Sequence, residues 1–283
     1  MDTSRFRFGF SPCPNDTFAF WAAVHGAIDS PVSFEPELAD IETLNERAVH
    51  GEDAPTVTKL SLPAFARCMD RYAILSSGAA LGFGCGPLVV CRDPDMQLED
   101  LNRARVAIPG KHTTAYLLMA GLLPEVREVV SMRFDEIMPA VISGACDAGL
   151  VIHESRFTYA QHGLHQLADL GVLWEQETKG PLPLGVICAR RDLSDEDFLS
   201  IEQALRKSVR MARRSPELPR AWIREHAQEM EDDVCQRHIE LYVNDFSEDL
   251  GDVGRAAIDE LLRRGRSYGL LPEGGSAYRE PRT

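Results

Sequence analysis

Short β-rich runs alternate with helical patterns through most of this 283-residue chain. Such alternation is typical of an α/β protein built on a parallel sheet, because each helix crosses back over the sheet between neighbouring strands. The last third, in contrast, is almost wholly helical, which leaves it too few strands for a sheet of its own. The predicted strands are Phe6–Phe10, Val32–Leu38, Thr56–Lys59, Tyr72–Leu75, Pro87–Cys91, Arg105–Ile108, Val126–Arg133, Gly149–Ile152 and Leu184–Arg190.

Two apolar extended runs, Pro87–Cys91 and Leu184–Arg190, bracket a self-contained α/β block. If both are crossover strands, the chain forms two α/β lobes and the first lobe is discontinuous. We expect a first lobe of residues 1–90 and 188–283 and a second lobe of residues 91–187, with a small-molecule site between them. Two domains in simple tandem are the weaker alternative.

The charge balance narrows the possible partners. A net charge of -14 argues against nucleic-acid binding, because phosphate backbones require clustered Lys and Arg. No apolar run is long enough to span a membrane, and the N-terminus does not have the pattern of a signal peptide. The seven cysteines are scattered without a C-x-x-C pair, which predicts reduced thiols in the cytoplasm and no metal-ligand framework.

Polar residues follow four of the predicted strands, where open α/β sheets build their ligand sites. Three of these positions also open a helix, and helix N-termini bind carboxylates or phosphates through unpaired backbone N–H groups. An acidic protein can hold a carboxylated substrate in this way. The residues at these strand ends are Asn15 and Asp16; Lys59, Leu60 and Ser61; His112, Thr113 and Thr114; and His153.

Each of these residues also has a purely structural interpretation. Asn15, Asp16, Ser61, Thr113 and Thr114 are residue types that cap helices. A Lys at a strand end can be a solvated charge. A His after an apolar strand is either a core residue or a general base. Among the other histidines, His226 and His238 fall on polar helical patterns, and no H-E-x-x-H zinc motif is present.

Five motifs together resemble one family across nearly the whole chain. They are Ser11-Pro12-Cys13-Pro14-Asn15-Asp16-Thr17-Phe18, Thr58-Lys59-Leu60-Ser61, Gly84-Cys85-Gly86-Pro87-Leu88-Val89-Val90, His112-Thr113-Thr114-Ala115-Tyr116, and Ile152-His153-Glu154-Ser155-Arg156-Phe157-Thr158-Tyr159. The sequence is similar to the 1,4-dihydroxy-6-naphthoate synthases of the futalosine route to menaquinone. That resemblance implies a periplasmic-binding-protein-like fold (type II) of two α/β lobes with a ligand cleft between them.

The same resemblance implies an activity and assigns its residues. The family converts cyclic dehypoxanthine futalosine to 1,4-dihydroxy-6-naphthoate, which is a carbon–carbon lyase reaction, and no cofactor or metal is expected. Its proton acceptor matches His153, and its substrate-binding segments match Lys59, Leu60 and Ser61, and Thr114 and Ala115. The expected partner is a small carboxylated molecule, with no nucleic acid and no membrane. The oligomeric state is left open.

Three other functions compete with this one. A solute-binding protein would have the same fold without catalysis, and fold alone does not decide function. The sister chorismate dehydratase of the same pathway is a second alternative, which the His153–Arg156 string disfavours. The effector lobe of a transcription regulator is a third, although no helix-turn-helix pattern precedes the first strand.

Overall fold

A computed structural model describes residues 4–123, 125–227 and 231–279 of the chain. The chain divides into two units, one formed by Met1–Gly82 with Pro183–Thr283 and the other by Phe83–Leu182. Each unit contains its own sheet. Among the described residues, no helix combines the length and apolar character that crossing a membrane requires.

The N-terminal part of the first unit alternates strands and helices as the sequence pattern predicts. Pro36 falls in the second strand, which lies at the edge of the sheet, where a missing N–H is tolerated. The elements are β1 (Ser4–Phe10), α1 (Pro14–Val24), β2 (Val32–Leu38), α2 (Ile41–His50), β3 (Val57–Ser61), α3 (Leu62–Cys68), β4 (Tyr72–Ile74) and β5 (Ala80–Gly82).

The second unit follows, with three parallel strands on one side of its sheet and a helix in each connection between them. Gly144 ends one of its helices in the left-handed conformation. The elements are β6 (Leu88–Cys91), β7 (Arg105–Ile108), α4 (Thr114–Leu122), β8 (Glu128–Ser131), α5 (Phe134–Ser143), β9 (Ala148–Val151), α6 (Ser155–Thr158), β10 (His165–Asp169) and α7 (Leu170–Thr178).

The chain then returns to the first unit through a long strand and continues as helices. The longest of these carries three acidic residues in its first turn and two arginines in its last, which suits the helix dipole. The elements are β11 (Leu182–Arg190), α8 (Asp195–Arg214), α9 (Arg220–His226), α10 (Asp232–Tyr242), α11 (Asp245–Glu248) and α12 (Gly251–Ser267).

The core of the first unit is aromatic where the sheet meets its helices. Phe8 packs against Phe10, Phe20 and Phe34 with ring centroids 4.7–5.5 Å apart. Helix α8 covers this cluster, and its buried Ser208 hydroxyl donates to the Ala19 carbonyl of α1. In the second unit the core is aliphatic and lies between α5 and the strands, around Val90, Ile137, Val141 and Val151. Each sheet therefore has its own core.

Both sheets are mixed, where the sequence pattern predicts parallel ones. The first has the order β2-β1-β3-β11-β4, with β5 also paired to β11, and the second has the order β10-β6-β9-β7-β8. The pairs β1–β2, β1–β3, β7–β8 and β7–β9 are parallel. Strands β11, β6 and β10 pair antiparallel with their neighbours. Alternating sequence elements do not reveal the direction of strands that enter a sheet after a return connection.

The two bracketing strands also decide the boundaries between the units. The expected division placed residues 88–90 in the first lobe and residues 183–187 in the second. In the structure β6 pairs with β9 and β10 inside the second sheet, whereas β11 pairs with β3 and β4 inside the first. The chain therefore changes unit before β6 and near the start of β11, because each strand joins the sheet that supplies its hydrogen bonds.

Candidate functional site

A buried ion pair joins the first turn of α1 to β3 in the first unit. Lys59 Nζ donates to both carboxylate oxygens of Asp16, at 2.6 and 2.7 Å. The Ser11 hydroxyl and backbone N–H donate to the same carboxylate, at 2.6 and 3.2 Å. Asp16 is 2% and Lys59 5% exposed, so Lys59 is not a solvated charge at a strand end. Each of these buried charges would strongly destabilise the fold without the other.

The sequence predicts a helix from about Thr17 to His25, whereas α1 begins at Pro14, and this changes the role of its polar residues. Its N-cap residue is Cys13, whose side chain makes no capping bond, and Pro14 occupies the first turn. Asn15 and Asp16 therefore lie inside the first turn and do not cap the helix. Pro is well tolerated there because its φ suits the helix and the N–H it lacks would be unpaired. The Asp16 carboxylate is consequently available to Lys59 and Ser11.

The buried histidine of α10 extends this network. His238 is fully buried, and its Nε2 lies 2.9 Å from Asn15 Oδ1. Asn15 Nδ2 in turn donates to Asp16 Oδ1 at 2.8 Å. The sequence pattern placed His238 on a polar helical surface. Helix α10 buries a whole face, on which His238 lies with Val234, Cys235, Ile239 and Tyr242.

Ser61 is held by an asparagine that sequence analysis did not single out. Asn45 Oδ1 accepts the Ser61 N–H at 2.9 Å, and Asn45 Nδ2 donates to Ser61 Oγ at 3.2 Å and to Glu42 at 3.0 Å. Asn45 is fully buried on α2. Ser61 occupies the N-cap position of α3 without a side-chain capping bond. Its backbone N–H and its hydroxyl oxygen are therefore both bonded to Asn45.

Leu60 contributes backbone to this segment, because its side chain is fully buried in the sheet. Strand β11 pairs across Lys59 to Ser61, and Gly185 lies opposite Ser61 in that register. A Cβ on Gly185 would lie 3.4 Å from the Leu60 carbonyl oxygen and from the Lys59 side chain. Such a Cβ would make ordinary van der Waals contacts with this segment.

In the second unit, Thr113 caps helix α4, as predicted. Its Oγ1 accepts the Tyr116 N–H at 3.2 Å and donates to the Gly110 carbonyl at 2.8 Å. Thr114 is the first residue of the helix, and both Thr114 and Ala115 are buried. The helix N-terminus therefore follows directly on β7, where its partial positive charge favours an anion.

His153 lies two residues after the end of β9, in a left-handed backbone conformation with φ +55°. Its half-buried ring packs edge-on against Phe134, with centroids 4.8 Å apart and an interplanar angle of 71°. A ring nitrogen of His153 and a carboxylate oxygen of the buried Glu154 lie within 4.8 Å of each other. Non-glycine residues seldom adopt positive φ, and such strain is concentrated at functional sites.

Arg156, in the same motif, ties this segment to the rest of the second unit. Its guanidinium donates to the Gly86 carbonyl and, at 2.8 Å, to Asp169 Oδ2. The other oxygen of Asp169 caps α7 by accepting the N–H groups of Gly171 and Val172. The short helix α6, which follows His153 directly, is therefore clamped to the start of α7.

The Gly-rich segment before β6 makes a close backbone contact with the start of α7. A Cβ added to Gly86 would lie 2.2 Å from the Gly171 backbone nitrogen, a separation that no side chain can occupy. Burial raises the pKa of the neighbouring Cys85 thiol to about 12, so this thiol stays protonated and is not a nucleophile near neutral pH.

The structure thus gathers the candidate residues into two sets, one in each unit. Lys59, Leu60 and Ser61 end β3 beside Asp16 in the first unit. Thr114 and Ala115 follow β7, and His153 follows β9, its parallel neighbour in the second sheet. Parallel strands bring the segments after them to the same edge of a sheet. The residues missed by sequence analysis are Asn45, His238 and Asp169, which act through hydrogen bonds to residues distant in the chain.

Comparison with known proteins gives concordant results. A family model described as "Menaquinone biosynthesis" matches residues 6–267. The 1,4-dihydroxy-6-naphthoate synthase of Thermus thermophilus is 50% identical over 268 residues, covering 93% of this chain and 95% of that protein. The enzyme of the same name from Streptomyces coelicolor is 47% identical over 277 residues, covering 96% of each.

Solved structures establish the fold. A crystal structure of an Archaeoglobus fulgidus protein superposes with a TM-score of 0.89 at 36% identity, covering 96% of this chain and all of that one. The ligand-binding component of an ABC-type import system from Staphylococcus aureus superposes with a TM-score of 0.73 at 14% identity, covering 98% and 97%. The predicted periplasmic-binding-protein-like fold is confirmed.

Proposed function

The chain belongs to the menaquinone-biosynthesis family, and from that premise we propose that it is a 1,4-dihydroxy-6-naphthoate synthase. Its near full-length identity of 47–50% to two enzymes with this name is the observation that carries the proposal. The protein is thus an enzyme of menaquinone biosynthesis, and the substrate, the reaction class and the roles of its residues are the proposed part. We also propose a cytoplasmic location.

The proposed reaction is a carbon–carbon cleavage of cyclic dehypoxanthine futalosine. Removal of an acidic proton beside a carbonyl starts a retro-aldol cleavage, the ribose-derived carbons leave as a small carbonyl fragment, and aromatisation of the new ring drives the reaction forward. Such a reaction needs one positioned base and donors where oxyanion charge develops. His153 is the proposed base, supported by its strained backbone, its half-buried ring and the adjacent Glu154 carboxylate.

We propose that Lys59, Leu60 and Ser61, with Thr114 and Ala115, bind the substrate. The N-terminus of α4 supports a carboxylate or oxyanion contact at Thr114, because the helix dipole favours negative charge there. At Ser61 the hydroxyl is the proposed contact, since the backbone N–H is bonded to Asn45. Lys59 Nζ lies near the end of β3 in an ion pair with Asp16.

The test is conversion of cyclic dehypoxanthine futalosine by the purified protein, followed by the absorbance of the naphthoate. His153→Asn is the decisive variant, because Asn tolerates positive φ and cannot serve as the base at neutral pH. We expect its kcat to fall by about 10²–10⁴-fold while substrate binding is retained. His162→Asn, an exposed histidine of the same unit, is the matched control and should leave kcat unchanged.

Two results would contradict the proposal in different ways. Near-normal turnover by His153→Asn would remove the base assignment while the activity stands. Wild-type protein that retains the compound without consuming it would leave a binding protein of the same fold.

A further inference from the structure

A continuous line of hydrogen bonds connects the C-terminal helices of the first unit with the end of β3. His238 of α10 contacts Asn15, Asn15 contacts Asp16, and Asp16 holds Lys59. All four side chains are at least nine-tenths buried. Water therefore does not replace these bonds easily, and a break anywhere leaves a buried polar group without its partner.

The direction of each bond in this line follows from what the groups can donate. An ionised carboxylate only accepts, so the Asn15 atom facing Asp16 must be the amide nitrogen. The Asn15 oxygen is then the atom facing His238, and it can only accept. His238 Nε2 must therefore carry a hydrogen, whether the ring is neutral or charged. The imidazole thus sets the orientation of the Asn15 amide, and the amide orientation decides whether Asp16 receives a donor or a repelling oxygen.

We propose that His238 is a positioning residue for the Lys59–Leu60–Ser61 segment, acting through Asn15 and Asp16. This inference rests on the proposed function in so far as that segment binds the substrate. Without the Nε2 hydrogen, the Asn15 amide loses the only arrangement that satisfies both of its neighbours. Asp16 then holds Lys59 less firmly, and substrate binding weakens before the chemical step is affected.

Packing and hydrogen bonding by His238 can be separated by substitution. The ring packs on Tyr242 with centroids 4.7 Å apart, a contact that a phenyl ring would keep. His238→Phe therefore preserves the aromatic packing and removes the donor. His238→Gln restores an amide N–H near the position of Nε2 without the ring. A purely structural role predicts that Phe is the milder substitution, whereas the positioning role predicts that Gln is.

The first readout requires no substrate. The chain has four lysines, and Lys59 alone is buried, whereas Lys111, Lys179 and Lys207 are exposed and serve as internal references. Reductive methylation followed by peptide mass spectrometry should modify the three references quickly and Lys59 slowly in the wild type. In His238→Phe we expect the Lys59 rate to rise about tenfold or more relative to the references, and in His238→Gln to stay near wild type.

The second readout is kinetic, with cyclic dehypoxanthine futalosine as substrate. We expect His238→Phe to raise KM about tenfold with kcat within about threefold of wild type, and His238→Gln to restore KM. His226→Phe, which replaces a histidine packed on Trp222 outside this line, is the matched control and should change neither readout.

The outcomes separate the two proposals. The positioning role would be overturned if His238→Phe showed slow Lys59 methylation and a normal KM. It would also be overturned if His238→Gln raised the Lys59 methylation rate or KM more than His238→Phe did. Inactive wild-type protein with the expected methylation pattern would refute the proposed function and leave the positioning of Lys59 standing. Should His238→Phe fail to fold, Asn15→Ala interrupts the same line, and unchanged Lys59 methylation in that variant overturns the proposal equally.

Discussion

The two sets of candidate residues are held in place by different physical means. In the first unit, charges and side-chain hydrogen bonds fix the end of β3, through Asp16, Lys59 and Asn45. In the second unit, the backbone holds the candidate residues in place, through the left-handed conformation of His153 and the contact between Gly86 and Gly171. The first set should therefore be sensitive to changes of charge, and the second to any added Cβ.

This difference suits the proposed roles. A segment that binds a polar substrate gains from a rigid, prearranged charge, because no reorganisation is needed when the substrate arrives. A catalytic base gains from a fixed backbone, because the backbone then determines the direction of its side chain. The predictions below test whether the two mechanisms of support are really distinct.

The largest effect is expected from removing one half of the buried ion pair. Lys59→Met should lower the free energy of unfolding by about 3–5 kcal/mol, because it leaves the Asp16 carboxylate buried without its cation. Urea unfolding followed by circular dichroism measures the change. Lys179→Met, an exposed lysine, is the control and should shift stability by less than about 0.5 kcal/mol. Adding Asp16→Asn to Lys59→Met should recover part of the loss, and a double variant no more stable than Lys59→Met would argue against a charge effect.

The backbone contact of the second unit should respond to a single methyl group. Gly86→Ala should destabilise the protein by about 1–3 kcal/mol or more, because its Cβ would overlap the Gly171 backbone. Gly180→Ala is the matched control in the same unit, since its Cβ would make ordinary contacts at 3.8 Å. Equal thermal midpoints for the two variants would show that this close approach is not a constraint.

Arg156 tests the part-buried ion pair that fixes α6 in the second unit. Arg156→Met should cost about 1–3 kcal/mol, because the Gly86 carbonyl and Asp169 both lose a donor away from water. Arg156→Lys should recover only part, since an ammonium cannot serve two acceptors in the fixed geometry of a guanidinium. Arg133→Lys, in an exposed pair with Asp135, is the control and should change stability little. Full recovery of stability in Arg156→Lys would indicate that a positive charge alone is enough at this position.

Two residues predicted as helix caps should now behave differently. Thr113→Ala should cost about 1 kcal/mol of unfolding free energy, because its hydroxyl caps α4, and Thr113→Ser should restore it. Ser61→Ala removes no capping bond; it removes the hydroxyl that accepts from Asn45 Nδ2, and its main functional effect should be a higher KM. An unchanged KM in Ser61→Ala would contradict this assignment.

The smallest effect concerns two of the buried thiols, Cys68 in the first unit and Cys85 in the second. Burial raises the pKa of Cys68 and of Cys85 to about 12, so neither forms appreciable thiolate below pH 9. Iodoacetamide at pH 8 should therefore label both slowly in native protein and rapidly after denaturation, as peptide mass spectrometry can show. Raising the pH to 9 should speed the native labelling of Cys68 and Cys85 no more than the general rise in thiolate fraction does. Fast native labelling of Cys85 alone would show that the second unit opens more readily.

Much of the fold could be predicted from local pattern. The strands Val32–Leu38 and Arg105–Ile108 are observed with the predicted bounds. Strand β10 and helix α7 were missed. The strand is a partly exposed, polar edge strand, and the helix opens with Leu-Gly, with the cap supplied by Asp169. Edge strands lack the strong apolar alternation on which such prediction depends.

Local periodicity and motifs were enough to predict the alternation of strands and helices, the fold family, and the residue types after each strand, including His153, Ser61 and Thr114. The antiparallel direction of β6 and β11, the ion pair of Lys59 with Asp16, and the contact of His238 with Asn15, 223 positions away in the chain, arise only when the elements pack together. The reason is physical: a buried charge or amide finds its partner through the packing of distant elements, and no local pattern encodes which one it meets.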